Sequence, residues 1–98
     1  MSQLCVYQLP DETLVSDLQS DVADSDTRLV APVIPLAESP PLSRLEPEVS
    51  IQGKPYVVHL VEMAGVPARL VSGTPVADLQ DRYYYDVRDT LDRLFSGF

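Results

Sequence analysis

The sequence is poor in the residues that build catalytic and metal sites. Its 98 residues include one cysteine, Cys5, one histidine, His59, and no tryptophan. A single cysteine allows no disulfide within the chain, and Cys5, beside Val6 in an apolar strand pattern, is predicted to be a small buried residue rather than a reactive thiol. Without a second histidine or a cysteine pair, we predict no metal centre, no cofactor and no catalytic residue, and so no enzyme.

Basic residues and long apolar runs are also scarce. Seven Lys and Arg against 15 Asp and Glu give a formal net charge of −8, and the basic residues stand singly, so direct nucleic-acid binding is not expected. No segment approaches the roughly eighteen apolar residues of a membrane helix. The N-terminus lacks the basic and apolar regions of a secretory signal. We therefore expect a cytoplasmic protein without membrane contact.

Two polar features allow both a functional and a structural interpretation. His59 stands between Val58 and Leu60, where a lone histidine is more often a half-buried strand residue than a base or a ligand. A run of aspartates offers carboxylates to a divalent cation but lacks the glycine and distal glutamate of a calcium loop, so a solvated surface is favoured. Its members are Asp17, Asp21, Asp24 and Asp26.

The first half of the chain predicts a hairpin followed by an interrupted strand. Residues 4–9 and 13–18 flank turn residues and form the hairpin, whereas residues 19–26 predict an exposed loop or a single helical turn. Residues 27–36 are the most apolar stretch. Because proline donates no ladder hydrogen bond, Pro32 and Pro35 predict an edge strand or two short strands there.

The second half predicts another hairpin, one more strand and a terminal helix. Residues 49–51 and 56–63 form the hairpin, a turn at Ala64 and Gly65 follows, and residues 66–71 form the strand. Along the helix, apolar residues recur at intervals of three or four positions, as on one face of an amphipathic helix. Asp78 is the predicted N-cap, and Gly97 is predicted to end the helix. Its apolar positions are Tyr84, Val87, Leu91, Leu94 and Phe95.

Five to seven short strands and one helix predict a mainly β, α+β fold in one domain over residues 1–98. The strands are expected at about 3–71 and the helix at about 81–96. This pattern favours a small antiparallel barrel or twisted sheet with the helix covering an opening. A chain this short has little surplus stability, which favours a homodimer.

Several short segments follow one another along the chain in a telling order. They are Leu18-Gln19-Ser20-Asp21, Thr27-Arg28-Leu29-Val30-Ala31-Pro32, Leu45-Glu46-Pro47, Ile51-Gln52-Gly53-Lys54-Pro55, Met63-Ala64-Gly65-Val66-Pro67, Val76-Ala77-Asp78-Leu79 and Leu91-Asp92-Arg93-Leu94-Phe95-Ser96-Gly97-Phe98. Their order, spacing and position in a chain of this length resemble the CcdB family, the toxin half of a bacterial toxin–antitoxin pair. The resemblance covers essentially the whole chain.

The resemblance implies an SH3-like barrel with an extra small sheet and a C-terminal helix, a fold shared with the MazF and Kid ribonucleases. It also implies a homodimer that binds the A subunit of DNA gyrase through the helix tip and traps the cleaved DNA complex, as in plasmid maintenance. A CcdA-like antitoxin, with a disordered acidic tail, would neutralise it.

Matching the family's motifs to this chain implies a role for particular residues. The gyrase-binding positions implied are Asp92, Leu94, Phe95, Ser96, Gly97 and Phe98 at the helix end, with Ser20, Val22 and Ala23 in the acidic loop. The dimer interface implied contains Met63, Ala64, Gly65 and Val66.

Two residue differences separate this chain from the plasmid toxin that the family is best known for. That toxin ends in Trp-Gly-apolar, and here the tryptophan position is Ser96, although Gly97 is kept and Phe98 supplies an aromatic ring. Losing a Trp at an interface commonly costs about 2 to 4 kcal/mol, roughly 30- to 1000-fold in affinity. The turn at Asp11 and Glu12 is acidic where the plasmid toxin is basic, so a cognate antitoxin should bring basic or apolar contacts there.

Two other functions compete with the gyrase toxin. A diverged, non-toxic homologue that only binds the antitoxin is suggested by Ser96 and the acidic surface. A MazF-like or Kid-like endoribonuclease is suggested by the shared fold, but it would need a basic groove and positioned acid–base groups, and the sequence offers neither.

Overall fold

A computed structural model describes residues 3–19, 26–41 and 46–96, and over these the predicted mainly β fold with a C-terminal helix is confirmed. The seven strands form one antiparallel sheet that curves into a nearly closed barrel. The elements are β1 (Cys5–Gln8), β2 (Leu14–Asp17), β3 (Thr27–Pro35), β4 (Glu48–Ile51), β5 (Lys54–Val58), β6 (Ala64–Pro67), β7 (Ala77–Asp78) and α1 (Gln80–Ser96), with 3-10 turns at Leu60–Glu62 and Ala68–Val71.

Strand β3 is the centre of the sheet, contrary to the edge strand or broken pair that its prolines predicted. The strand order is β4-β5-β3-β2-β1-β7, and β6 pairs with the first half of β3, so no separate second sheet forms among the described residues. β2 runs beside Val30 to Val33, while β5 pairs with Val33 to Pro35 on the other side.

The prolines are tolerated because each falls where a neighbouring strand ends. Pro32 lies at the change of partner from β6 to β5, and its carbonyl still accepts the His59 N–H at 2.8 Å. A residue with an N–H at position 32 would have donated to the His59 carbonyl. With proline there, the His59 carbonyl instead accepts the Glu62 N–H of the 3-10 turn. Pro35 is the last residue of β3, beyond the Leu14 end of β2, so its missing N–H interrupts no ladder.

The predicted hairpins are both present, but the strand limits differ in the second half. β4 and β5 join through a two-residue turn, with positive φ at Gln52 and Gly53 as in a type I′ turn. The strand expected over residues 56–63 ends at Val58 and gives way to the 3-10 turn. The strand expected over residues 66–71 is shifted: β6 contains Ala64 and Gly65, the turn predicted there is absent, and residues 68–71 are 3-10.

The helix covers the barrel between its two outermost strands. Asp78 Oδ1 accepts the Gln80 N–H at 2.9 Å and so caps the first turn, as predicted. The Ser50 N–H of the edge strand β4 donates to Tyr83 Oη at 2.9 Å, which ties the helix to that edge. Val87 is buried in the main core cluster, and Leu91 and Leu94 pack against it.

Alternation along the strands produces two apolar clusters on opposite faces of the sheet. The larger one fills the space under the helix and contains Leu4, Val6, Leu18, Ala31, Val33, Val49, Ile51, Val58, Leu60, Leu79 and Val87. The smaller one contains Cys5, Tyr7, Val15, Val30 and Val71. Cys5 is buried, as predicted. None of the helical residues that the structure describes forms a span long and apolar enough to cross a bilayer.

Candidate functional site

The end of helix α1 is the first part of the candidate site. Asp92 is exposed, whereas Leu94 is half-buried and packs against the main core cluster, so it holds the last turns of the helix on the barrel. Phe95 and Ser96 belong to the helix, but their side chains lie outside the described part of the structure, as do residues Gly97 and Phe98. The described backbone thus places helix α1 on the barrel as far as Ser96.

The stem of the acidic loop is held by a buried ion pair that the sequence did not reveal. Asp17 Oδ2 accepts hydrogen bonds from Arg28 Nε at 3.2 Å and Nη2 at 2.8 Å, and both side chains are buried. Asp17 was expected on a solvated surface with the other aspartates, and this prediction is wrong for it. Asp26 is exposed, and Asp21 and Asp24 lie outside the described residues.

Gln19 joins this pair and completes what we call the loop clasp, Asp17, Gln19 and Arg28. Its N–H donates to Asp17 Oδ1 at 3.1 Å, its carbonyl accepts Arg28 Nη2 at 2.8 Å, and its side-chain oxygen accepts the Leu29 N–H at 2.7 Å. Both carboxylate oxygens of Asp17 and the Nε and Nη2 atoms of Arg28 therefore make hydrogen bonds, which offsets the cost of their desolvation. Burying charge requires this precise geometry, so the clasp fixes where the loop begins.

The loop stem and the helix end face the same cleft. A cavity of about 230 Å³ lies between them, with Leu18 on the loop side and Leu91 and Asp92 on the helix side. The loop residues assigned by resemblance, Ser20, Val22 and Ala23, lie outside the described residues and follow directly on Gln19. The fold thus brings Leu18, two residues before Ser20, close to Asp92, which is one of the gyrase-binding positions implied by the resemblance.

Strand β6 carries the residues predicted for a dimer interface, and it presents them to solvent. Ala64 and Gly65 are exposed, Met63 and Val66 are half-buried, and Val61, just before the strand, is 44% exposed. A Cβ at Gly65 would lie 2.9 Å from Thr27 Cγ2 on β3, so a larger residue there would require the Thr27 side chain to shift. Within the described residues β6 pairs with β3 alone, so its outer edge is an unpaired strand edge.

A second buried polar pair lies in the barrel and involves the single histidine. His59 Nδ1 is 3.1 Å from Glu46 Oε1, and both side chains are fully buried. His59 was expected to be a half-buried strand residue; instead it follows β5 and lies in the core. Because it is enclosed, His59 has no path to a substrate in this conformation. Both buried pairs were missed because the sequence does not show which acids and bases meet across strands.

The acidic turn between β1 and β2 has a defined geometry. The Leu9 N–H donates to the Thr13 carbonyl at 2.8 Å, and Glu12 adopts a positive φ of 72°. The Thr13 N–H donates to Asp11 Oδ1 at 3.0 Å. This bond, with help from the Thr13 hydroxyl, lowers the pKa of Asp11 from its ordinary value. Asp11 is therefore a carboxylate throughout the neutral range. Over the described residues, no three metal-binding side chains cluster together.

Comparison with known proteins agrees with the sequence motifs. The family model described as CcdB protein matches residues 3–97, which is nearly all of the chain. No curated protein was found to match the sequence. The matched range includes β6, the loop stem and the helix end.

Proposed function

Because the chain belongs to the CcdB family, whose members are toxins of toxin–antitoxin pairs, we propose that it poisons DNA gyrase through its helix end. It acts in the cytoplasm as a homodimer, binds the gyrase A subunit, has no catalytic activity, and is neutralised by a cognate antitoxin. The observation that carries this proposal is the cleft between Leu18, which lies within the loop clasp segment, and Leu91 and Asp92 of helix α1.

The helix end suits a docking role because its position is fixed before any partner binds. Val87 is buried, and Leu91 and Leu94 pack on the core, so the last two turns have little freedom relative to the barrel. A preorganised contact loses less conformational entropy on binding than a flexible one. Phe95, Gly97 and Phe98 would then reach gyrase as an apolar tip, with Asp92 at its side.

The loop clasp supports the second half of the same contact. It holds the first residue before Ser20 by three hydrogen bonds, so the loop leaves the sheet at a fixed place beside the helix. Val22 and Ala23 would add small apolar contacts to those of the helix tip. Two short segments held on one rigid frame form a larger binding surface than either alone.

Strand β6 supports the homodimer. Its unpaired edge and the exposed apolar atoms of Val61, Ala64 and Val66 form a surface that a second copy would cover. Glu62 is the only charged residue from Val61 to Pro67, so a symmetric contact would bury little charge.

Induced expression in bacteria tests the proposal. We expect the full chain to stop growth and the neighbouring antitoxin gene to restore it when both are expressed. A variant that ends at Ser96 lacks Gly97 and Phe98 and should permit growth. A chain ending at Gly97 loses only Phe98 of the proposed tip and should arrest growth less than the full chain. Arg69→Met, at an exposed position on the barrel, leaves the tip intact and is the control. Unimpaired growth with abundant, folded full-length protein would refute the proposal.

Ser96 favours a second candidate, a diverged homologue that binds the antitoxin without poisoning gyrase. A serine leaves the interface without the large ring that gives such contacts much of their free energy. Under this alternative, the natural chain is harmless and Ser96→Trp creates gyrase binding. Growth arrest by the natural chain would exclude it.

A further inference from the structure

A groove on the side of the barrel away from β6 has walls of one charge and an apolar floor. Its volume is about 520 Å³, within the range of roughly 300–1,000 Å³ typical of ligand pockets. The turn between β1 and β2 forms one wall, and the turn that follows β3 forms the other. Neither the helix end nor the loop clasp lines it.

Each wall is a turn whose backbone is held by hydrogen bonds and which carries at least one carboxylate. Asp11 and Glu12 line the first wall, where two backbone hydrogen bonds join Leu9 to Glu12 and to Thr13. Glu38 lines the second wall, where its N–H donates to the Pro35 carbonyl at 2.9 Å. Because hydrogen bonds hold the backbone of both turns, the positions from which the carboxylates extend need little reordering when a partner binds.

The floor between the walls is apolar and ends at an aromatic ring. It is lined by the half-buried residues Leu14, Ile34, Pro35 and Tyr56, and Pro35 is the register partner of Tyr56. The Lys54 ammonium lies 5.7 Å over the Tyr56 ring centroid, which shows that the ring accepts a cation on its face. Three carboxylates against this one ammonium leave the groove negatively charged.

We propose that this groove binds a peptide segment in which cationic side chains alternate with apolar ones. The cations would meet Asp11 and Glu38 on the opposite walls, and the apolar side chains would cover Leu14 and Tyr56. A free metal ion or polyamine would use the charge but leave the floor uncovered. Assigning this segment to the antitoxin rests on the proposed function, and the inference that the groove prefers a cationic, apolar peptide does not.

Fluorescence anisotropy with labelled hexapeptides tests the proposal. The probe is Leu-Arg-Leu-Arg-Val-Arg, with Leu-Glu-Leu-Glu-Val-Glu and Ser-Arg-Ser-Arg-Ser-Arg as controls for charge and for apolar contact. We expect the probe to bind about tenfold or more tightly than either control, and its affinity to fall as salt rises. If the serine peptide binds as tightly as the probe, or if spermidine at equal concentration displaces the probe, apolar contact does not contribute to binding. Either result would overturn the proposal.

Paired variants separate the groove from the general negative charge of the chain. Asp11→Asn with Glu38→Gln removes one charge from each wall, and the amide oxygen at position 11 can still accept the Thr13 N–H. Asp86→Asn with Asp89→Asn removes the same charge from exposed positions on the helix. We expect about a tenfold loss of probe affinity for the first pair only. Equal losses would contradict a specific groove.

The same proteins in a gyrase assay keep this proposal distinct from the proposed function. Peptide binding without any effect on gyrase would refute the toxin role and support the groove. Gyrase poisoning by a protein that does not prefer the cationic peptide would support the toxin role and refute the groove.

Discussion

Arg28 is the residue on which the loop stem depends most, because it neutralises a carboxylate that is cut off from water. Its guanidinium makes two bonds to Asp17 and one to the Gln19 carbonyl, and the Asp17 side chain is only 1% exposed. A buried pair of this kind adds little stability over an apolar substitute, but removing one member leaves a charge in the core.

Arg28→Met should therefore destabilise the fold by about 3–5 kcal/mol, since Asp17 stays buried without its cation. That is a large part of the roughly 5–15 kcal/mol by which such domains are stable. Urea unfolding followed by circular dichroism measures the loss. Arg69→Met, at an exposed position, is the control and should stay within about 0.5 kcal/mol of the natural chain. Similar losses for both variants would argue against the clasp.

Asp11 gives a pH dependence whose sign follows from its turn. Because the Thr13 N–H and hydroxyl lower its pKa in the folded chain, Asp11 stabilises the fold fully above its ordinary pKa of 3.8 and loses this contribution as the pH falls through the lowered value. An NMR titration should give a midpoint below 3.8. Thr13→Ala keeps the N–H but removes the hydroxyl, so the midpoint should rise partway. A natural-chain midpoint at or above 3.8 would contradict this turn geometry.

At the scale of elements, the helix and the edge strand β4 protect each other. In the part of the chain that the structure describes, β4 pairs with β5 alone, and its Ser50 N–H donates to the Tyr83 hydroxyl rather than to another strand. A side chain from the helix thus blocks part of an edge that would otherwise be open to another strand.

Tyr83→Phe should cost about 0.5–1.5 kcal/mol, the usual net value of one hydrogen bond. The ring stays in place, so the effect should be local: amide hydrogen exchange at Ser50 becomes faster while exchange in β3 changes little. Tyr85→Phe, on a ring that is 78% exposed, should leave the Ser50 exchange rate unchanged. Faster exchange at Ser50 in both variants would mean that the helix is generally loosened.

Local sequence patterns predicted which helices and strands form better than they predicted which strands pair with each other. The first hairpin, the terminal helix and the Asp78 cap follow from alternation, turn residues and helical spacing, which are properties of neighbouring residues. The position of β3 could not be inferred, because whether Pro32 breaks a ladder depends on where β5 and β6 begin and end. The same limit hid both buried polar pairs, since their members, such as Asp17 and Arg28, meet only when the sheet has formed.

At the scale of the whole molecule, the barrel holds three surfaces apart. Leu18 and helix α1 share one cleft, β6 presents an apolar edge, and the acidic groove lies at the Pro35 end of β3. Of the gyrase-binding residues implied by the family motifs, Asp92 lines the cleft, and only the folded chain shows that the cleft lies between Leu18 and the helix. The groove was foreseen only as an acidic turn, because its second wall is 27 residues further on in sequence, from Asp11 to Glu38.

Ala64→Glu should break the proposed homodimer, because it places a charge on each copy at a symmetric apolar contact. Light scattering after size exclusion should show the natural chain as a dimer and this variant largely as a monomer at micromolar concentration. Ala37→Glu adds the same charge at an exposed turn and should remain dimeric. A natural chain that is monomeric at all concentrations would refute the interface.

The trapping of cleaved DNA by gyrase tests the central claim most directly. Purified protein is added to gyrase, ATP and supercoiled plasmid, and the reaction is stopped with detergent and protease. We predict linear DNA that increases with protein concentration and is absent for the chain ending at Ser96. Unchanged supercoiling and no linear DNA at a large excess of folded protein would contradict the claim.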